Sequence, residues 1–270
     1  MRWTSKPSFG TRVDPAHPIG RGCLLAIAVN AGQGITLANA AWSDACTLAG
    51  APAWASTDQG HGLGFTGTQY GLLPASTRYR PSSGFTFAAR VFITSATNLS
   101  TVIRLDDGTN RIGILDGVGT GTLRALAFTT AGNVAAVTGA VLVQNTWADL
   151  AATYDSATAV ATAYLNGVPV ATATGTPGAA FVGSGAVPVG LFVNPNGLGS
   201  IGRGTLAFAA MFGRALSRTE LVALAANPWD LFEPPAPWRE DLMSAYYYAP
   251  ASASTWRRTI SPRFGSRSAT

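Results

Sequence analysis

The chain has 270 residues, 47% of them hydrophobic and only 11% charged, with a net charge of +5. Soluble domains ordinarily carry about a quarter charged residues, so this surface is unusually neutral. It suits either a subunit packed among neighbours or a free domain with a Thr, Ser and Gly surface, and it argues against sequence-specific nucleic-acid binding, which needs a basic patch interleaved with aromatics.

Residues 1–21 hold three prolines and four positive charges without periodicity, and are expected to form an extended arm. No apolar segment of secretory type opens the chain, so synthesis in the cytosol is expected. The longest apolar run there, Cys23 to Val29, is too short to span a bilayer, so no membrane partner is expected. Cys23 and Cys46, the only cysteines, are read as buried free thiols or as one bridge between neighbouring strands.

Leu24 to Val29 reads as a buried strand, followed by a turn at Gly32-Gln33-Gly34. Leu63 to Thr68 and Tyr70 to Leu73 read as further short strands. Phe85 to Ile93 alternates cleanly, with Phe85, Phe87, Ala89, Val91 and Ile93 on one face. Thr101 to Leu105, Arg111 to Leu115 and Leu123 to Thr129 continue the pattern, and Val134 to Val143 is either a strand pair or one long bent strand.

Trp147 to Gly175 predicts strands around a hairpin at Asn166-Gly167, a pair suited to the positive φ of a type I′ turn. Leu198 to Arg203 leads into a strand-like Thr205 to Phe212. A helix is predicted next: Ser217 caps it, Glu220 completes a capping box, Leu221, Leu224 and Ala225 form its apolar stripe, and Pro228 ends it. Short strands at even spacing between Gly-rich turns predict a sandwich or barrel.

Several side chains invite a chemical reading. Asp106 and Asp107, in the run Asp-Asp-Gly-Thr-Asn, are candidate calcium ligands, although such a run is also an ordinary turn; Asp116 and Asp155 share the ambiguity. No cofactor other than calcium is expected. His17 and His61, the only histidines, have no nucleophile in a recognisable elbow. Gly197 to Gly204 lacks the Lys and the strand–helix setting of a phosphate loop and reads as a turn. Tyr70, Tyr79, Trp147 and Tyr154 are candidate platforms for sugar stacking.

Trp147 to Gly175, with Ser200-Ile201-Gly202-Arg203 and Phe208 to Ser217, resembles the laminin-G-like branch of the concanavalin A-like lectin/glucanase jelly rolls. The family's W-x-x-[VL]-A-x-T-[YW]-D strand, Y-[VL]-N-G hairpin, I-G-R strand and R-A-L-S turn into a short helix ending in N-P are present in order. The resemblance covers about residues 20–228. It implies an all-β sandwich jelly roll with one short C-terminal helix over 22–228, between terminal arms at 1–21 and 229–270. It also implies that Trp147 and Tyr154 are core residues. The E-x-D-x-x-E strand that carries catalysis in glucanase relatives is missing, so no catalytic residue and no enzyme activity are expected.

Asp14 to Ile19, Arg21-Gly22 and Asn227 to Phe232 resemble laminin-G-like proteins encoded in bacteriophage structural gene clusters. That implies a virion component, such as a capsid decoration, head fibre or tail-associated subunit, made in the host cytoplasm. Its partners would be other virion proteins and copies of itself. The Pro-, aromatic- and Arg-rich C-terminal arm would then supply the contacts, through Trp229, Phe232, Trp238, Tyr246, Tyr247, Tyr248, Trp256, Arg257 and Arg258. The other expectation is a carbohydrate-binding module that recognises cell-surface glycan.

Overall fold

A computed structural model describes residues 6–8, 10–58, 60–95, 100–118 and 121–234. The first half of the chain supplies β1 (Cys23–Ala28), β2 (Thr36–Ala38), β3 (Ala45–Ala49), β4 (Ala53–Thr57), β5 (Gly60–Thr66), β6 (Tyr70–Ser76), β7 (Gly84–Ile93) and β8 (Thr101–Asp106). The second half supplies β9 (Arg111–Val118), β10 (Thr122–Thr129), β11 (Gly132–Val141), β12 (Thr146–Asp155), β13 (Val160–Leu165), β14 (Val168–Thr174), β15 (Val187–Leu191), β16 (Arg203–Phe212) and the helix α1 (Arg218–Ala226).

The strands form two eight-stranded sheets. The first runs β14-β13-β12-β7-β16-β5-β4, with β1 also paired to β16; the second runs β11-β10-β9-β8-β15-β6-β3-β2. Every pairing between these strands is antiparallel. This is the jelly-roll sandwich expected from the sequence.

The main core lies between the sheets. Phe85, Phe87, Ala89, Val91 and Ile93 of β7 all enter it, as their alternation predicts. Phe85 and Phe87 stack with ring centroids 4.4 Å apart. Asn166 and Gly167 take φ of 51° and 75°, which suits the predicted hairpin turn. Val134 to Val143 resolves as one strand, β11, with a register shift against β10 rather than a strand pair.

Sequence alternation fails in β16, which is buried along nearly its whole length. Its register against β7 shifts between Leu206 and Phe208, leaving Ala207 as an extra residue. The extra residue shifts the phase of the strand. Leu206, Ala209 and Met211 therefore face the main core, while Phe208, Ala210 and Phe212 face outward into a second cluster. Continuous apolar sequence is what a strand covered on both faces requires.

The cover for that outer face is α1 together with parts of both predicted arms. Ser217 Oγ accepts from the Glu220 N–H, and the Glu220 carboxylate accepts from the Ser217 N–H at 2.8 Å, completing the capping box. Leu221 and Leu224 are buried against the sheet. Asn227 then caps a 3-10 turn over Pro228–Leu231.

The arms differ from expectation. Val13 forms a β-bridge with Phe232, and the Asp14 N–H donates to Leu231 O at 2.9 Å. Ile19, Trp229, Leu231 and Phe232 are at most 5% exposed. Residues 13–20 and 229–232 thus belong to the folded unit, because their large apolar side chains complete its second cluster. The chain divides into units Met1–Pro235 and Ala236–Thr270. The second lies outside the described residues, and with it Trp238, Tyr246, Tyr247, Tyr248, Trp256, Arg257 and Arg258.

Candidate functional site

The candidate site is built on the loop between β2 and β3. Asn39 is only 3% exposed and holds the loop in place. Its side-chain carbonyl accepts from the N–H groups of Ala26 and Ala41, both at 3.0 Å. Its amide donates to Leu24 O at 3.3 Å and to Asp44 Oδ1 at 2.9 Å. The loop also closes on itself through Asn39 N–H to Asp44 O at 3.1 Å. A side chain with all its hydrogen-bonding groups satisfied inside the protein fixes a loop without cost in desolvation.

Trp42 stands on this loop with 45% of its surface exposed. The guanidinium of Arg78 lies over the indole, 4.4 Å from its centroid. Arg78 sits on a 3-10 turn over Thr77–Tyr79 that follows β6, with the Arg78 N–H capped by Ser76 Oγ at 3.2 Å. Next to it, the fully buried Tyr79 donates its hydroxyl to Asp44 Oδ2. Burial and the hydrogen bond to Asp44 push the Tyr79 phenol well above its ordinary range, so it stays a donor.

The other wall is the N-terminal segment, where the Val13 N–H donates to Ala40 O at 3.1 Å. Between the walls lies a cleft of about 310 Å³, bounded by Gly10, Thr11, Arg12 and the loop from Ala38 to Ser43. Each Å² of apolar surface left exposed forgoes about 25 cal/mol of burial. Here a guanidinium lies over the ring, and the loop that carries it is pinned by a buried polar network. Such an arrangement offers a flat apolar face flanked by hydrogen-bonding groups, as small-molecule sites do.

The residues singled out by sequence fall elsewhere. Tyr79 is buried and serves the site only as its support. Tyr154 is buried in the main core, and Trp147 packs edge-on against Phe92 with centroids 5.6 Å apart. Tyr70 is half-buried on β6. Trp229 and Phe232, expected to grip partners, are interior: both stand edge-on to Phe208. That corrects their assignment, since a side chain at most 5% exposed has no surface left to offer. Sequence reading did not find Trp42, because it sits in an irregular loop and gains its setting only when β6 brings Arg78 beside it.

The calcium candidates are occupied by the protein itself. Asp106 is 1% exposed and pairs with Arg104 at 2.5 Å and Arg111 at 3.5 Å. Asp107 accepts from the N–H groups of Thr109 and Asn110 at 2.9 and 2.6 Å, closing a turn. Burial raises the Asp107 carboxyl, but these donors outweigh it and the net shift is downward. No cluster of three or more His, Cys, Asp or Glu suited to a metal exists among the described residues.

Three further carboxylates, those of Asp116, Asp149 and Glu220, are matched to arginine. Asp116 accepts from Arg124 Nε at 2.9 Å, and Asp149 lies 3.2 Å from Arg90. Glu220 accepts two bonds from Arg214, at 2.6 and 3.0 Å. Asp155 closes a turn with Ala157 and Thr158. The His17 ring nitrogen accepts from the Ile19 N–H at 3.3 Å as a cap. Cys23 and Cys46 are free and buried in different clusters.

A family profile described as the concanavalin A-like lectin/glucanases superfamily matches residues 65–222. A search of curated protein sequences finds no match. Among solved structures, the binding domain of Paraclostridial Mosquitocidal Protein 1 is similar with a TM-score of 0.58 and 11% identity, over 77% of this chain and 52% of that one. The binding domain of Botulinum Neurotoxin DC in complex with SialylT is similar with a TM-score of 0.58 and 12% identity, over the same shares. The chain therefore spans about half the length of either toxin domain. Domain 4 of AbnA, a GH43 extracellular arabinanase from Geobacillus stearothermophilus, in complex with arabinotriose, is similar with a TM-score of 0.54 and 15% identity, over 75% of this chain and 98% of that one. At these identities the likeness is one of fold. With the profile covering more than half of its length, the chain belongs to the concanavalin A-like lectin/glucanase superfamily.

Proposed function

We propose that the domain is a non-catalytic carbohydrate-binding module whose platform is Trp42. The observation that carries this is the half-exposed indole, which has Arg78 over one face and stands in a cleft with polar walls. Apolar sugar faces stack on aromatic rings, and their hydroxyls need donors and acceptors nearby, which Thr11, Arg12 and Ser43 supply. Two of the similar structures, the neurotoxin binding domain and the arabinanase domain, carry saccharides in their complexes, which supports a sugar as the ligand class.

A binding role also fits the treatment of carboxylates. Glycoside hydrolysis needs an acid and a base or nucleophile facing one another across a substrate, about 5–9.5 Å apart. Here Asp116, Asp149 and Glu220 are each held by an arginine. Attachment to a virion through the C-terminal arm loses two of its anchors, Trp229 and Phe232, to the interior.

The test is a glycan array probed with the full chain and with Trp42→Ala. Binding that disappears in the variant while its melting temperature stays at the parent value supports the reading. Binding that is indifferent to Trp42 places the platform elsewhere, and an array without any bound glycan ends the proposal.

A further inference from the structure

We propose that the outward side of α1 and the β13–β14 hairpin beside it form a surface on which a second copy of the chain docks about a two-fold axis.

Three of the eight large hydrophobic side chains that stand exposed among the described residues lie on these two elements: Val168 at 51%, Val170 at 38% and Val222 at 47%. The hairpin rests on the helix, since a Cβ added to Gly167 would come within 3.0 Å of Val222 Cα and 3.5 Å of Ala225 Cβ. Val168 follows Gly167 directly, so strand and helix present one patch. After its first turn α1 holds only Leu, Val and Ala. Leu221 and Leu224 are buried against the sheet, while Val222, Ala223 and Ala226 are exposed. A helix that is apolar on all sides is normally covered on all sides.

The patch is also free of charge. Residues 156–202, which include β13 and β14, hold no charged residue. On α1 the charged residues are Arg218 and Glu220 in the first turn, and Glu220 is held by Arg214. Edge strands are usually guarded by charged side chains. β14 ends its sheet and pairs only with β13 among the described residues. Its protection is confined to the hairpin end, where Pro169 has no N–H to offer and the register shifts between Ala163 and Tyr164. Residues 171–174 lie beyond both and keep an open edge.

The charge balance selects a second copy as the occupant. Each chain carries +5, so two copies repel wherever their basic residues face one another. Across β14 and residues 221–226 of α1 there are none to face. A partner recognised by its charge finds nothing to pair with here, and the cores of protein interfaces are depleted of charge. The backbone leads to the same occupant. An open edge strand is its own antiparallel partner about a two-fold axis, so a copy that covers the valines can also pair with residues 171–174.

The experiment is sedimentation of the full chain over a range of concentrations at low and high salt. A species of twice the monomer mass should grow with concentration. Salt screens the repulsion between the two charged copies, so it should hold or tighten the association. Val222→Lys and Thr172→Lys each set a cation inside the contact and should weaken it about tenfold or more. Both positions are exposed, and melting curves check that the variants fold. Ile35→Lys, at a 70% exposed position just before β2 at the far end of the second sheet, adds the same charge elsewhere and should leave the association unchanged. Weakening by Val222→Lys alone keeps the apolar contact and overturns the strand pairing. A parent chain that stays monomeric at every concentration overturns the proposal. So does an association that both variants leave intact, that Ile35→Lys weakens equally, or that dissolves as salt rises.

Discussion

Trp229 stands edge-on to Phe208, with ring centroids 5.9 Å apart and planes at 88°. The pair ties the segment after α1 to the outer face of β16. An edge-to-face contact between buried rings adds to the area they already bury. Trp229→Ala should destabilise the domain by about 3–5 kcal/mol, as removal of a large buried aromatic does. Urea unfolding measures it. Truncation after Ala226 should cost more than truncation after Pro234, because only the former removes Trp229, Leu231 and Phe232 from the second cluster. Equal stability of the two truncations would show that the segment is a tail after all.

The same residues show where sequence reading succeeded and where it stopped. Alternation in Phe85 to Ile93 and the Ser217–Glu220 box are local signals, and both appear in the structure as expected. Ala207 is invisible to such reading, because a bulge changes the phase of a strand without changing its composition. Trp229 and Phe232 looked like anchors for another protein since no local partner is visible within their own segment; their partner, Phe208, lies more than twenty positions earlier. Strands β2 to β4 and β15 carry no legible signal in the sequence. In β4 the residues are mostly exposed, and an edge strand with little to bury leaves little periodicity. Trp42 and Arg78 stand about 36 positions apart and meet only through sheet topology, and no motif encodes that.

Arg214 is a second tie between distant segments. Besides Glu220, it donates to Arg21 O at 3.0 Å and to Pro18 O at 3.1 Å. Arg214→Ala should loosen both the start of α1 and residues 18–21, seen as faster amide exchange at Gly20 and Leu221, and Ser217→Ala should cost about 1 kcal/mol through the lost cap. The Arg214 hydrogen bonds hold the Glu220 carboxyl down at about 2, against 4.5 ordinarily. A depressed acid contributes stability above its unfolded value and loses it as pH falls toward the folded one. Stability should therefore decline between pH 4.5 and 2, and Glu220→Gln should flatten part of that decline.

Gly113 lies in β9 under the ring of Phe85. A Cβ there would meet Phe85 Cζ at 2.5 Å and Leu126 O at 2.7 Å. The carbonyl is part of the β9–β10 ladder and the ring is packed on three sides, so neither neighbour yields easily. Gly113→Ala should cost about 1–3 kcal/mol, the range for overpacked cores. Gly139, with nothing within 4 Å of its added Cβ, is the control, and Gly139→Ala should leave the melting temperature nearly unchanged.

Lys6 donates its ammonium to Val29 O and His61 O beneath the Trp229 ring, yet burial and then the nearby Arg90 lower its pKa from 10.5 to about 7. The folded state thus releases this proton more readily than the unfolded chain does, so stability should rise as pH increases from 7 toward 10.5. Cys23 and Cys46 oppose it at the alkaline end. Burial raises both thiols from 9.0 to about 12, so their contribution holds below pH 9 and is lost above it. The two effects together predict a melting temperature that climbs from pH 7 to about 9 and then falls. Lys6→Met should remove the climb and keep the fall, while Cys23→Ala with Cys46→Ala should do the reverse. A flat profile between pH 7 and 9 in the parent protein would show that the Lys6 ammonium is not desolvated.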